Sequence, residues 1–230
     1  MNTPVFDWSS FWDDKARSGS DFQATGRGRM DIVGFLYTLR EIAEALRLEK
    51  SDRLLDLGCG TGIVALALSP WVASIHGADI SPQMIARARD NCRDLPHVSF
   101  CVGSMPDALD AGPFHKLLAY SVLQYLRDED AVLDLLRAAH QALVPGGTAF
   151  FAANPDPARK GSYLEKLRGL GLNAESMALS LRITDETLWL SDEALRDLAR
   201  TAGFEPVITP ISPRIWQHFY MSNLVLRKPS

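Results

Sequence analysis

The chain has 230 residues, of which 47% are hydrophobic and 23% are charged, and its formal net charge is −4. This length can bury the core of one globular domain, so we treat residues 1–230 as a single domain. The sequence has no basic run, no apolar stretch near the ~20 residues of a membrane helix and no signal-peptide pattern. We therefore expect neither nucleic acid nor a membrane as a partner.

The three cysteines, Cys59, Cys92 and Cys101, are odd in number and lack CxxC spacing. They indicate reduced thiols in a cytoplasmic protein, without a disulfide framework. The same spacing gives no reason to expect a metal site. The sequence does not indicate the oligomeric state.

The sequence pattern predicts that the N-terminal 29 residues form a cap or flap. Trp8, Phe11 and Trp12 are spaced as on one helical face within residues 5–17, which packs on the domain surface or covers a ligand. Residues 18–29 predict a loop because they are rich in Gly and Ser. Its Arg27 and Arg29 could meet a carboxylate or remain solvated.

Helical and strand patterns alternate from residue 30 to residue 153. The predicted helices are 30–48, 62–68, 81–93 and 128–143, and the predicted strands are 53–57, 73–79, 97–102, 116–121 and 148–153. Continuously apolar strands between helices are typical of a parallel sheet that is covered on both faces. The chain is therefore predicted to be a doubly wound α/β domain, in which ligands bind beyond the carboxyl ends of the strands.

The regular alternation ends after residue 153. Residues 154–190 predict a partly helical lid, inserted after the fifth strand. Residues 191–202 predict a capped helix that stops at Gly203. Residues 204–209 and 217–226 predict an antiparallel pair of strands that closes the edge of the sheet.

Residues 54–62, LLDLGCGTG, predict a strand that runs into a turn with three alternate glycines. Such a turn lets a ligand approach the backbone closely, with N–H groups facing it. A dinucleotide site prefers G-x-G-x-x-G, but Ile63 occupies the position of its third glycine. The acid Asp56 would also disfavour a pyrophosphate and favour an ammonium group.

This stretch resembles the first motif of the class I S-adenosylmethionine-dependent methyltransferases. Three further segments are similar to that family and follow in the right order: 76–81 at the end of the second strand, 143–147 before the fifth strand and 193–204 at the last helix. The resemblance covers most of the chain. It implies the Rossmann-like methyltransferase fold, a seven-stranded and mostly parallel sheet, with S-adenosylmethionine as cofactor.

The resemblance also implies roles for individual residues. Asp56 would attract the ammonium end of the cofactor, Asp79 would accept hydrogen bonds from both ribose hydroxyls, and Ile80 would lie on the adenine. Many family members have an acid at the end of the third strand, where this chain has Ser104. The expected cofactor contacts are Asp56, Gly58, Cys59, Gly60, Gly62, Asp79, Ile80, Met84, Ser104, Met105, Tyr120 and Ser121.

The acceptor side is less well defined by the sequence. The expected substrate contacts are Trp12, Gln124, Trp189 and Trp216, and His218 and Tyr120 are two possible general bases. We expect in-line methyl transfer to an oxygen or nitrogen of a small-molecule metabolite, such as a sugar, an aromatic or a polyketide-like compound. Three alternatives stay open: methylation of tRNA or protein, a non-catalytic cofactor-binding protein, and a nicotinamide oxidoreductase, which the glycine spacing disfavours.

Overall fold

A seven-stranded sheet organises the computed structural model, which describes residues 6–17, 19–28 and 30–230. The sheet order is β3-β2-β1-β4-β5-β7-β6. The strands are β1 Arg53–Leu57, β2 Ser74–Asp79, β3 Val98–Val102, β4 Phe114–Tyr120, β5 Leu143–Pro155, β6 Glu205–Pro210 and β7 Met221–Arg227. The predictions made for residues 1–5, Ser18 and Arg29 lie outside the described residues.

The strand directions confirm the predicted doubly wound fold. Strands β1 to β5 pair in parallel, and β7 pairs antiparallel with both β5 and β6. Leu54, Leu55 and Leu57 are almost fully buried, as is typical of a central parallel strand with helices on both faces. The order of the strands reverses between β1 and β4, so a ligand site is expected beyond the carboxyl ends of these two strands.

The helices cover both faces of the sheet and extend beyond it. They are α1 Trp8–Ala16, α2 Asp21–Ala24, α3 Ile32–Leu46, α4 Ile63–Leu68, α5 Pro82–Asn91, α6 Met105–Leu109, α7 Glu129–Ala142, α8 Lys160–Arg168, α9 Ala174–Glu186 and α10 Asp192–Thr201. Three apolar clusters lie among these elements and the sheet, and the smallest joins α1, α2 and α5. No helix within the described ranges is long and apolar enough to cross a bilayer.

Three local predictions need correction. The predicted loop 18–29 contains the short helix α2, whose Ser20 and Gln23 form a reciprocal capping box. Helix α6 was not predicted, because five residues give too little periodicity. The last strand begins at Met221 instead of residue 217, because Trp216–Phe219 forms a 3-10 turn. Aromatic residues are enriched in strands, so this aromatic run has the composition of a strand although it forms a turn.

The N-terminal cap, which we define as the described residues 6–17 and 19–28, is tied to α5. Asp13 accepts a hydrogen bond from the Ser81 hydroxyl. Arg87 forms an ion pair of 2.7 Å with Asp21 and donates to the Ala16 carbonyl at 3.0 Å. Because α5 follows directly after β2, these contacts hold the cap over the carboxyl ends of the strands.

Candidate functional site

A cavity lies between the cap and the carboxyl ends of the parallel strands. It encloses about 1090 Å³, its open mouth included. It is lined by Trp8, Trp12, Thr25, Gly26, Arg27, Gly58, Gly60, Ala78, Asp79, Ile80, Met84, Gly103, Met105, Tyr120, Ser121, Val122, Gln124, Tyr125, Gln217, Tyr220 and Met221. Its position matches the ligand crevice of doubly wound sheets.

The backbone N–H groups of the glycine turn donate hydrogen bonds to other groups of the protein. The N–H groups of Gly58 and Cys59 donate to the Ala78 carbonyl at 2.8 and 3.0 Å. The N–H of Gly60 donates to Asp79 Oδ2 at 2.9 Å, and that of Gly62 donates to the Cys59 carbonyl at 3.1 Å. The expectation that these N–H groups face a ligand is therefore wrong. The turn lets a ligand approach the backbone closely, but these N–H groups are not available to bind it.

Side chains would not fit at the first two glycines of this turn. Gly58 and Gly60 have φ values of 68° and 54°, in the left-handed region that glycine tolerates best. A Cβ on Gly58 would lie 2.7 Å from Val122 Cγ2, and one on Gly60 would lie 2.8 Å from Thr25 Cγ2. Gly60 thus allows the cap to approach the turn closely. Gly62 does not line the cavity, and its neighbours are Ala88 and Phe100.

Asp79 lies at the end of β2 and faces the cavity. Its two carboxylate oxygens accept the N–H groups of Gly60 and Ser81, each at 2.9 Å. Burial raises the pKa of this carboxyl, while the N–H groups of Ser81 and Gly60 act in the opposite direction. A carboxylate has about four lone-pair sites, so each oxygen can accept one further hydrogen bond from a ligand hydroxyl.

Asp56 and Arg27 carry opposite charges beside the turn, and each has an unsatisfied atom. Asp56 Oδ2 and Arg27 Nε are both buried without a hydrogen-bond partner. Burial raises the pKa of Asp56 to about 7, although the Arg27 charge lowers it. Buried polar atoms without partners are rare in native proteins, so this pair is consistent with a ligand that carries both an ammonium and a carboxylate.

The carboxyl end of β4 forms another wall of the cavity. Ser121 adopts a left-handed φ of 59°, an uncommon conformation for a residue with a side chain, and its hydroxyl lies 3.3 Å from Gln124 Oε1. The Arg27 guanidinium lies 4.9 Å from the centroid of the Tyr120 ring. Burial raises the pKa of Tyr120, and it raises that of Tyr125 to about 12. Neither phenol is therefore suited to act as a base at neutral pH.

The structure brings ten of the predicted site residues to this one cavity. They are Trp12, Gly58, Gly60, Asp79, Ile80, Met84, Met105, Tyr120, Ser121 and Gln124. Ile80 is 37% exposed despite being apolar, which leaves its side chain available to a flat ligand. Asp56 and Cys59 lie behind the cavity wall, where both are buried.

Four predicted residues lie away from the cavity. The Ser104 hydroxyl donates to Asp107 Oδ2 at 2.6 Å. His218 is not among the lining residues, and its Nδ1 lies 2.9 Å from the Ile215 carbonyl. Trp189 donates its Nε1–H to the Thr184 carbonyl at 3.1 Å and packs with Tyr163. Trp216 lines an adjoining surface opening instead.

Several lining residues were not predicted from the sequence. Tyr125 packs against Trp8 and Trp12 of the cap, with ring centroids 4.5 and 5.6 Å apart. Gln217 and Tyr220 come from the segment between β6 and β7. Their sequence neighbourhood carries no motif, so only the folded chain shows that they belong to the site.

The cavity fits the adenosine and amino-acid parts of S-adenosylmethionine. Asp79 and Ile80 can receive ribose hydroxyls and adenine. The unpartnered atoms of Asp56 and Arg27 match an ammonium and a carboxylate. Gly58 and Gly60 bring the backbone of the turn to the cavity wall without side chains.

Comparisons with known proteins agree with this geometry. Residues 54–147 match the family model described as a methyltransferase domain. The ribosomal protein L11 methyltransferase of Thermus thermophilus is 36% identical over 108 residues, which cover 46% of this chain and 40% of that protein. The chain thus spans less than half the length of this curated relative.

Two solved structures share the fold over nearly the whole chain. One is the complex of the Haloferax volcanii Trm112 methyltransferase activator with a candidate methyltransferase, with a TM-score of 0.73, 20% identity and coverage of 95% of this chain and 98% of that one. The other is magnesium protoporphyrin IX methyltransferase from Synechocystis PCC 6803 with bound S-adenosylhomocysteine, with a TM-score of 0.67, 18% identity and 96% coverage of both chains.

Proposed function

Because residues 54–147 belong to the class I S-adenosylmethionine-dependent methyltransferases, we propose that this chain transfers a methyl group to an oxygen or nitrogen of a small molecule. The observation that carries the small-molecule assignment is the cap. Trp8 and Trp12 pack on Tyr125 and cover the cavity from above. A cavity covered in this way suits an acceptor that is enclosed within it.

The chain's own residues bind and orient the cofactor. Asp79 holds the ribose through the free lone pairs of its two oxygens, and Ile80 with Met84 and Met105 provides apolar contact for the adenine. Arg27 binds the carboxylate of the amino-acid part, and Asp56 favours its ammonium group. Ser121 and the neighbouring Gln124 line the cavity and would form the wall beside the transferable methyl group.

The bound cofactor supplies an electrophilic methyl group on a sulfonium. The task of the protein is to align a lone pair of the acceptor with the carbon–sulfur bond and to exclude water. Orientation of this kind supplies roughly 7–11 kcal/mol of the barrier reduction. Tyr120 contributes as a wall, since its raised pKa keeps the phenol protonated at neutral pH.

The ends of the chain have a supporting role in this proposal. We assign residues 1–29 as a cap and 154–190 as a lid within one domain of residues 1–230. Arg182 of α9 lies 5.1 Å from the Phe6 ring, so the lid and the cap are in contact. The cysteines are free thiols, which supports the predicted cytoplasmic location.

Thermal unfolding tests cofactor binding directly. S-adenosylhomocysteine at about 100 times its dissociation constant should add roughly 2.7 kcal/mol of stability. For a chain of this size the melting temperature should rise by roughly 5–10 °C. A shift with NAD but none with S-adenosylmethionine or its product would refute the proposal. Turnover on a metabolite panel distinguishes an enzyme from a protein that only binds the cofactor.

A protein acceptor is the second possibility, because the ribosomal protein L11 methyltransferase is among the similar proteins. A peptide or RNA acceptor would require the cap to move away from the cavity. Methylation of a purified protein or tRNA, together with no turnover of any small molecule, would favour this alternative.

A further inference from the structure

A second opening adjoins the cavity. This vestibule is lined by Lys15, Gly19, Gln23, Gly26, Gly28, Tyr163, Trp216, Gln217 and Tyr220. Gly26, Gln217 and Tyr220 line both spaces, so the two meet at these residues. None of the expected cofactor contacts lines the vestibule. An acceptor that enters through it would therefore reach the cavity at its acceptor end.

Gln217 has an unsatisfied acceptor atom where the two spaces meet. Its Oε1 is shielded from solvent and accepts no hydrogen bond. A buried amide oxygen without a donor destabilises the protein, and a ligand donor can remove that cost. An N–H or O–H group of the acceptor is thus favoured at this point, while an anionic oxygen is repelled.

The two spaces offer no strong base near the acceptor end. Among the described lining residues, Asp79 is the only carboxylate and there is no histidine. Asp79 lies at the end of β2, where Gly60 and Ser81 already donate to it. Burial raises the pKa values of Tyr120 and Tyr125, so both phenols stay protonated at neutral pH and cannot accept a proton from the acceptor. The nucleophile must therefore carry a free lone pair before it binds.

The walls of the vestibule favour a flat, uncharged nucleophile. The rings of Tyr163 and Tyr220 lie 4.6 Å apart, and Tyr163 also packs with Trp189 at 5.7 Å. Flat ligands stack well on such aromatic walls. The charge of Lys15, together with the sulfonium of a bound cofactor, would repel an alkylammonium ion.

We propose, building on the methyltransferase function above, that the acceptor is an aromatic amine. It enters through the vestibule, stacks beside Tyr163 and Tyr220, and donates one N–H to Gln217 Oε1. An aromatic amine is unprotonated at neutral pH, so its nitrogen lone pair is free without a base. The hydrogen bond to Gln217 turns that lone pair toward the methyl group.

The transfer balances without a general base. The nitrogen lone pair forms the new N–C bond as the C–S bond breaks, and the electron pair of the broken bond stays on sulfur. Sulfur thereby becomes a neutral thioether, and nitrogen takes the positive charge. The methylated nitrogen then loses one proton to water as the product leaves through the vestibule.

Matched probes test the proposal by binding as well as by turnover. Calorimetry on the protein loaded with S-adenosylhomocysteine compares aniline with phenol, and 4-aminobenzoate with 4-hydroxybenzoate, with benzoate as the anionic probe. Because a phenol O–H can also donate to Gln217 Oε1, we expect each hydroxyl counterpart to bind about as tightly as its amine, and benzoate to bind more weakly than aniline. With S-adenosylmethionine, only the amines should gain a methyl group by mass spectrometry.

Substitution of Gln217 separates its role from general packing. Gln217→Leu keeps the size but removes the amide, so it should weaken amine binding by roughly three- to tenfold. Gln217→Glu keeps an acceptor oxygen and should retain amine binding. Gln141→Leu, on the exposed face of α7, is the matched control and should bind as the native protein does.

Each outcome decides between the two proposals. Methyl transfer to the hydroxyl probes, or unchanged amine binding in Gln217→Leu, overturns the amine assignment. Failure of all amines to bind a protein that does bind S-adenosylhomocysteine also overturns it and leaves the methyltransferase function intact. Failure to bind S-adenosylhomocysteine refutes the proposed function itself, and the amine assignment falls with it.

Discussion

The buried carboxyl of Asp56 should make both stability and cofactor affinity depend on pH. Its pKa is raised to about 7 in the folded protein, compared with about 3.9 in an unfolded chain. The folded state therefore holds this proton more tightly. The associated stability is fully present below about pH 4 and is lost as pH rises through about 7.

The size of the effect follows from these two pKa values. Between about pH 5 and pH 8 the free energy of unfolding should fall by about 2.5 kcal/mol through this one group. That corresponds to a drop of roughly 5–10 °C in melting temperature. Asp56→Asn removes the titrating group. The melting temperature of this variant should therefore lack the drop of roughly 5–10 °C between about pH 5 and pH 8.

Cofactor affinity should change in the opposite direction. An ammonium group favours the ionised form of Asp56, and the ionised fraction rises from about one tenth at pH 6 to about one half at pH 7. S-adenosylhomocysteine should therefore bind roughly fivefold more tightly at the higher pH, with release of a proton. Calorimetry in two buffers of different ionisation enthalpy measures that proton. Equal pH slopes in the native protein and Asp56→Asn would refute the reasoning.

Three further predictions concern the cofactor end of the cavity and the cap. Asp79→Asn should weaken S-adenosylhomocysteine binding by roughly 10- to 100-fold in calorimetry, because an amide offers the ribose fewer acceptor sites. Gly60→Ala should destabilise the protein by roughly 2 kcal/mol in urea unfolding through its left-handed φ and its clash with Thr25; adding Thr25→Ser should recover part of that loss. Arg87→Met should release the cap, speed tryptic cleavage within the first 30 residues and weaken cofactor binding by roughly three- to tenfold.

Each of these variants has a matched control in the same chain. Asp134→Asn removes an exposed acid of α7 and should leave cofactor affinity unchanged. Gly146→Ala has a φ of 74° but no neighbour closer than 3.8 Å, so it should cost only about 1 kcal/mol. Arg93→Met breaks exposed ion pairs and should not affect cleavage of the cap. Effects equal to those of the controls would show that the assigned contacts are not the cause.

The fold was largely predictable because its signals are local. Continuous apolar strands, the Ser81-Pro82 helix start and the glycine turn each identify an element from a few neighbouring residues. The order of the strands then follows from the parallel, doubly wound pattern. The short helices α2 and α6 were missed because side-chain capping, rather than periodicity, holds them in place.

The site was predictable only where a motif marks it. Asp79 and Ile80 follow a strand at a recognisable place, and the structure puts both on the cavity wall. Arg27, Tyr125 and Gln217 come together from three distant parts of the chain. Their positions depend on how the cap and the segment before β7 pack on the sheet, which no local pattern encodes.

The internal hydrogen bonds of the glycine turn have a consequence for selectivity in the cell. Adenosine is also part of ATP and NAD, which are abundant competitors for any pocket that recognises adenine and ribose. A turn whose N–H groups at Gly58, Cys59 and Gly60 are already bonded has no donors left there for a phosphate chain. Ionised carboxylates at Asp56 and Asp79 would repel it further. The pocket thus discriminates by excluding phosphate-bearing ligands. It can favour S-adenosylmethionine over ATP and NAD without tighter contacts to the adenosine part that they share.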